Sequence, residues 1–341
     1  MSLRPSFASS PCRRRAPLVL IALVMLLGLV RPAAAKPTSI WTGVAKIVAI
    51  GDLHGDFEHF VRLLRGTDLV DGDLKWTGGK SHLVQMGDIM DRGDDARKIF
   101  DLIRRLEKEA EAAGGWVHML LGNHEEMNLM GRSIQYEGYV TVQQFIDFLP
   151  DRFKAAEARR AGGKVSNSRW KELMTDPDSE AVNAYHENFL ETYGRWIAEH
   201  NVAIKINTTV FVHGGLTESF AAMGLQAVND LFHSEIQRVF RGEEFRPRIL
   251  FQPGGPLWNR DLASTDETPE YKARLDRILA SLKAERIVVA HTPTAFRGRV
   301  EDMQRYEGKV WVIDTGISSS FHGRVWALVI KDGDVSVSKR D

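Results

Sequence analysis

Residues 51–56 read Gly51-Asp52-Leu53-His54-Gly55-Asp56 and follow directly on a short β-branched run, residues 44–50. An apolar run stopped by Gly-Asp marks a strand that ends in a loop. Residues 57–64 then space their apolar side chains as a helix does. The phrase returns twice. Residues 82–86 form a second apolar run, halted at Gly87-Asp88-Ile89-Met90-Asp91-Arg92-Gly93 and followed by an amphipathic helix over 96–112 with Ile99, Leu102, Ile103 and Leu106 on one side. Residues 116–121 form a third, halted at Gly122-Asn123-His124-Glu125. This alternation predicts an α/β fold, and in open α/β sheets ligand sites lie at the carboxyl ends of the strands. Polar residues far apart in sequence therefore converge by topology.

Outward from this core, residues 132–200 interrupt the alternation. They are rich in charge and aromatic residues and read as a helical insertion with a loose stretch from Gly162 to Asp178, packed beside the sheet and able to cap the site. Strand character resumes at 202–206 and 209–212, the latter ending at His213-Gly214-Gly215. Helices follow at 217–224 and 226–241, then a loop over 243–267 containing Gly255-Pro256-Leu257-Trp258-Asn259-Arg260. A helix at 270–284 leads to a strand at 286–290 that ends at His291. A strand at 310–313 ends at Asp314-Thr315-Gly316, and 325–330 and 335–337 are closing strands.

The N-terminus reads differently. Arg13, Arg14 and Arg15 precede an apolar run of 13 residues, Leu18 to Val30, and Ala33-Ala34-Ala35 supplies small residues before Lys36. That is the layout of a secretory signal peptide over 1–35, with the remaining domain over 36–341. The run is short of the roughly 20 residues of a membrane-spanning helix, so no stable membrane insertion is expected after cleavage. The protein is then exported, periplasmic or secreted; an uncleaved N-terminal anchor is the alternative. Ala16 and Pro17 fit a twin-arginine signal poorly.

The whole chain of 341 residues suits one large domain or two ordinary ones, and its 43% apolar content suits a packed core. Its 45 basic and 45 acidic side chains balance, but residues 1–35 hold five arginines and no acid, which leaves the rest at a formal −5. That charge argues against nucleic acid as a partner. The single cysteine, Cys12, leaves with the signal, so the mature chain needs no oxidation to fold.

The strand ends present Asp52, His54, Asp88, Asn123, His213 and His291. Taken singly, an Asp after a strand is usually a turn former or cap and a His is usually just hydrogen-bonded. Six in order, each closing an apolar run, are another matter. Oxygen and imidazole donors without sulfur suit manganese, iron or zinc. A carboxylate such as Asp88 can bridge two such ions about 3.5–4 Å apart.

These segments, with His213-Gly214-Gly215 and the solitary His291, resemble the calcineurin-like metallophosphoesterase superfamily. Asp91-Arg92-Gly93 resembles its phosphoprotein phosphatase branch. Glu126-Met127-Asn128-Leu129, Gly255-Pro256-Leu257-Trp258 and Ile313-Asp314-Thr315-Gly316 are similar to the Shewanella-like phosphatases within it. The resemblance spans residues 44–330. It implies an α/β/β/α sandwich of two mixed sheets flanked by helices, with the 132–200 insertion. It implies that Asp52 and His54 hold one metal, Asp88 bridges, and Asn123, His213 and His291 complete the second. His124 would protonate the leaving oxygen, paired with Asp91. Arg92, with Asn123 beside it, would grip the phosphate, and Arg260 is a second candidate grip, although Asn259 stands where that branch has an aromatic residue. Residue 291 is followed by Thr292-Pro293 rather than by the second histidine of a His-x-His pair.

The implied reaction is hydrolysis of a phosphomonoester by direct attack of a metal-bridging hydroxide. The substrate would be a protein phosphorylated on serine, threonine or tyrosine, or a small phosphomonoester. The physics agrees. Two cations neutralise the anionic ester and bring water's pKa near neutrality, arginine offers a planar donor pair to phosphate, and histidine can deliver a proton near pH 7. Competing readings are a nucleotide phosphodiesterase or dinucleoside polyphosphate hydrolase and, from another class, an inactive metal-binding interaction module. Glu125 is expected to orient its loop, Asp314 to support a ligand histidine or form a turn, and His322 to stand at the cleft rim.

Overall fold

The structure is a computed structural model that describes residues 38–176, 178–293 and 303–341. The signal-peptide reading of residues 1–35 lies outside the described residues. Among those described, no helix is long and apolar enough to cross a membrane.

The first half runs β1 (Ile40–Trp41), β2 (Lys46–Ile50), α1 (Phe57–Gly66), β3 (His82–Gln85), α2 (Ala96–Ala112), β4 (Trp116–Met119) and α3 (Asn123–Leu129). The insertion follows as α4 (Val142–Phe148), α5 (Asp151–Arg160), α6 (Asn167–Thr175), α7 (Glu180–Phe189) and the short α8 (Arg195–Ile197). The second half runs β5 (Ala203–Ile206), β6 (Thr209–Val212), α9 (Glu218–Met223), α10 (Leu225–Phe240), α11 (Asp261–Ser264), α12 (Pro269–Leu282), β7 (Arg286–Val289), β8 (Gln304–Arg305), β9 (Val310–Val312), β10 (Trp326–Lys331) and β11 (Asp334–Lys339).

These strands form two mixed sheets, one in the order β1-β5-β6-β7-β9-β8 and the other β11-β10-β2-β3-β4. Side chains alternate faces along a strand, and the packing follows that alternation. In β2, Ile47 and Ala49 join Val84, Leu328, Phe211 and Val288 in a core between the sheets. Val48 and Ile50 point the other way, onto Phe60, Leu63, Ile99 and Ile103 of α1 and α2. Across the molecule, Val210, Val212, Ile287 and Val289 pack outward on Leu275, Ile278 and Leu279 of α12. The result is the α/β/β/α sandwich. Its strands read as apolar runs rather than alternating ones because both faces are covered.

Within each sheet three neighbouring strands run parallel. β2, β3 and β4 do so in one, and β6, β7 and β9 in the other. Their carboxyl ends open on the same side of the sandwich, where His213 after β6 reaches Asp88 after β3 and His291 after β7 reaches Asp52 after β2.

Three departures from the sequence reading have physical causes. The stretch from Gly162 to Asp178 is not loose throughout: Ser166 caps α6 by accepting from the Arg169 N–H, and Trp170 is buried. The 243–267 loop contains the single turn α11. Strands β1 and β8 have two residues each, too few for period-two alternation to register.

Candidate metal and phosphate site

The loops after β2 and β3 are zipped together. Leu53 and His54 N–H both donate to the Asp88 carbonyl at 3.0 and 2.9 Å, and Gly55 N–H donates to the Ile89 carbonyl at 2.7 Å. Glu125 organises the second loop from below. Its carboxylate accepts from the N–H groups of Asp88 (2.7 Å), Ile89 (2.8 Å), Met90 (3.2 Å) and Gly122 (2.9 Å). Five residues here hold left-handed backbone without being glycine: His54 (φ 43°), Asp88 (54°), Asp91 (70°), Arg92 (69°) and His291 (61°). Such conformations cost on the order of 1 kcal/mol each and persist only where surroundings enforce them, which is characteristic of functional sites.

The side chains converge on Asp88. His213 Nε2 lies 3.4 Å from Asp88 Oδ1, and His54 Nε2 and His124 Nε2 lie 3.9 and 4.0 Å from Oδ2. Donor atoms of His54, Asp88 and His124 fall within 4.8 Å of one another, as do those of Asp88, His213 and His291. Tautomers follow from partners that can only accept. His54 Nδ1 faces the Met90 carbonyl at 3.0 Å and His213 Nδ1 the Met86 carbonyl at 2.8 Å, so each Nδ1 carries a hydrogen and each Nε2 turns inward. Asn123 Oδ1 lies 3.1 Å from His213 Nε2. Asp52 lies close by, its Oδ1 accepting from the His291 N–H at 3.4 Å and standing 3.8 Å from His213 Nδ1.

This donor set fits metal ions. Carboxylates and imidazole lone pairs face one another in a buried space, and only cations can sit between them. Burial, together with Asp314 and Asp88, pushes Asp52 well above the usual carboxylate range, and burial raises Asp314 to about 6. His54 falls to about 4 because burial and the neighbouring His124 oppose its charging. Among the described residues, only four buried side-chain polar atoms lack a hydrogen-bond partner, and two of them, His291 Nε2 and Arg92 Nε, are here. Asp314 shares a side-chain hydrogen bond with Asp52 and also feels the charge of His213.

His124 stands to one side of this cluster. Its N–H donates to Asp88 Oδ1 at 2.9 Å, and its Nδ1 lies 2.6 Å from Asp91 Oδ2. Although burial opposes charging, Asp88 and Asp91 raise the imidazole pKa. The same contact, with Ser133 and Gln144, lowers that of Asp91 against its burial. The pair thus sets Nδ1 on the acid and leaves Nε2 toward the cluster.

Arg92 lies between two rings, its guanidinium carbon 4.5 Å from the Tyr139 centroid and 5.3 Å from that of Phe321. Its N–H donates to the Tyr139 carbonyl at 2.7 Å. Tyr139 also packs on His124 at 4.8 Å, and Phe321 on His54 at 5.4 Å. Arg260 is exposed and anchored at the rim, donating to the His291 carbonyl at 2.7 Å. The serine loop closes on the first motifs, Ser319 on Asp56 and Ser320 on the Arg92 carbonyl. It is Phe321 rather than the exposed His322 that meets the site. Tyr139, Phe321, Ser133 and Gln144 were not singled out in the sequence, and Asn128 was noted there only within Glu126-Met127-Asn128-Leu129, without a role at the site. None lies at a parallel strand end, and the aromatic richness of 132–200 pointed toward Tyr139 alone.

A family model described as calcineurin-like phosphoesterase matches residues 45–295. An uncharacterized protein of Schizosaccharomyces pombe is 33% identical over 295 residues, covering 84% of this chain and 78% of that protein. Shewanella-like protein phosphatase 2 of Arabidopsis thaliana is 28% identical, over 72% of this chain and 66% of its own length. Among solved structures, a cold-active protein tyrosine phosphatase aligns with TM-score 0.65 at 26% identity, over 88% of this chain and 80% of that one. The cold-active protein-tyrosine phosphatase of a psychrophilic Shewanella species shares the fold with TM-score 0.62 at 24% identity, over 89% of this chain and 83% of that one.

Proposed function

The chain belongs to the calcineurin-like phosphoesterase family, and on that premise we propose that it is a metal-dependent phosphatase acting on phosphomonoesters, with phosphotyrosine of proteins or peptides as the favoured class. The observation that carries the choice of ester is the setting of Arg92. Its guanidinium lies between Tyr139 and Phe321 with a buried, unpartnered Nε. A phosphate held there would bring its leaving group against aromatic walls, which suits an aryl ester. Likeness to a solved protein tyrosine phosphatase supports the same reading.

In this reading Asp52, His54 and Asp88 hold one metal ion, and Asp88, Asn123, His213 and His291 the other. Manganese, iron and zinc all match the donors. Bound there, the two ions supply neutralisation of the phosphate charge and lower the pKa of water. The chain does the rest. Arg92 offers the phosphate its two-pronged donor, Arg260 provides a second cation at the rim, and His124 Nε2 delivers a proton to the departing oxygen. Asp91 keeps that imidazole oriented and stabilises its charged form.

The test is turnover by the metal-analysed protein on phosphotyrosine, phosphoserine and phosphothreonine peptides, small monoesters and bis(p-nitrophenyl) phosphate. Preference for phosphotyrosine is the expected result. Activity on the diester alone would replace the reading with a phosphodiesterase.

The signal-like layout of residues 1–35 supports export, with cleavage before Lys36 and action in the periplasm or outside the cell. A chain isolated from its native compartment with Lys36 as first residue is the expected outcome. An intact Met1 would leave an anchored or unexported protein.

A further inference from the structure

Asp91 is held by a closed ring of hydrogen bonds whose other members lie outside the motifs at the strand ends. Gln144 of α4 grips it at two points. Oε1 accepts from the Asp91 backbone N–H at 2.8 Å, and Nε2 donates to Asp91 Oδ1 at 3.0 Å. The first bond fixes the amide's orientation, because a backbone N–H can only donate. The other Nε2 hydrogen goes to the Tyr185 hydroxyl of α7 at 3.2 Å. That hydroxyl donates to Asn128 Oδ1 at 3.2 Å, and Asn128 Nδ2 returns to both Asp91 oxygens at 3.1 Å. Ser133 Oγ donates to Oδ2, beside His124 Nδ1. Every member is buried.

We infer that Gln144, Ser133 and Tyr185, all supplied by the insertion, are positioning residues for proton delivery: they lock Asp91, and through it the His124 ring, in the orientation that turns Nε2 toward the leaving oxygen. The inference rests on the reading of His124 as the proton donor. A carboxylate offers about four lone-pair positions, and His124, Ser133, Asn128 and Gln144 supply four donors to it. No oxygen of Asp91 is left to swing toward another partner. The backbone is pinned as well, because Asp91 holds a left-handed φ of 70° and its N–H is the group that Gln144 binds. Without the ring, the carboxylate gains alternative rotamers and the imidazole loses its single bearing. The insertion is thus an arm of the catalytic apparatus rather than only a neighbour of the sheet.

A group that aims a proton matters only where the leaving oxygen needs one. A p-nitrophenolate departs unprotonated, and an alkoxide does not. Partners that orient a functional ligand typically carry about 10–100-fold of activity. The metal-loaded chain bearing Gln144→Ala, Tyr185→Phe or Ser133→Ala is therefore compared with the parent on an alkyl phosphate and on p-nitrophenyl phosphate, with metal content measured in each. The expected result for Gln144→Ala is a fall in kcat of about 10–100-fold on the alkyl ester, with little change on the aryl ester and full metal content. Tyr185→Phe keeps the ring's packing and Ser133→Ala removes one hydroxyl; both show the same selectivity to a smaller degree, and Ser133→Thr restores turnover. Equal loss on both esters, or no loss on either, overturns the inference. His124→Ala run alongside separates the two claims. If it shows the selectivity and the ring variants do not, the ring's role falls and the acid stands; if His124→Ala itself shows none, the acid reading falls and the inference with it.

Discussion

At the scale of the residue, the site is built from side chains beside glycines, and the glycines are there for room. A methyl group on Gly122 would overlap the Asp88 carboxylate, and one on Gly55 would meet the backbone of Gly93. Gly122→Ala is therefore expected to reduce metal binding as Asp88→Asn does, though its own side chain touches no metal. Metal analysis of the purified variants, with activity on an aryl phosphate, checks both. Retention of two ions by Gly122→Ala would show that the loop can yield. The six candidate donors could be picked out in the sequence because each closes an apolar run next to a turn residue, and topology brings them near one another. The interaction of Asp52 with Asp314 and the rings flanking Arg92 could not. Asp314 follows a strand of the opposite sheet, and Phe321 is brought in by a serine loop whose bonds reach back more than two hundred residues, as from Ser319 to Asp56. Nothing local in a sequence encodes such a closure.

At the scale of the element, strands and long helices were readable because both sheets are covered on both faces and the helices are amphipathic. The insertion was readable as helical but not as catalytic. The groups that give it a role, Gln144 and Tyr185, look like ordinary helix residues until the fold brings them under Asp91. Where β3 begins lies a second polar feature, His82 Nδ1 at 2.9 Å from Nε2 of His118 in β4, against Trp41. One nitrogen donates and the other accepts, so the pair fits as two neutral rings and not as two charged ones. Burial lowers His82 to about 4 and, with His82 beside it, takes His118 well below its ordinary value. Unfolded imidazoles bind protons near 6.5 while the folded pair resists, so the unfolded state holds more protons across that window and stability falls as pH falls from about 6.5 toward 4. The slope is at most about 1.4 kcal/mol per pH unit for each ring. Unfolding midpoints of the metal-loaded protein should decline from about pH 7.5 to about pH 5, a range that spans the unperturbed histidine value. The double variant His82→Gln/His118→Gln should decline less steeply, and equal slopes would remove the pair from the account.

At the scale of the whole molecule, the two sheets meet through an apolar core and also through the site. Asp52, Asp88 and Asn123 follow strands of one sheet, and His213 and His291 follow strands of the other. Ions bound there would tie the halves together, and a ligand that binds only the folded state stabilises it by about 2.7 kcal/mol at a hundred times its dissociation constant. Chelation should lower the thermal midpoint, and returning manganese or zinc should restore it; a midpoint indifferent to both would mean that the ions bind too weakly to matter for stability. The arrangement also has a consequence in time. Asp52 and His291 are 239 residues apart in the chain yet share a hydrogen bond, and contacts of such separation form late because their loop-closure entropy must first be overcome. A chain whose second sheet has not yet docked would lack His213 and His291 from the donor set. Metal capture is therefore expected in the last stage of folding, and the rate at which a chelating dye loses metal to a refolding chain should follow the docking of the second sheet on the first.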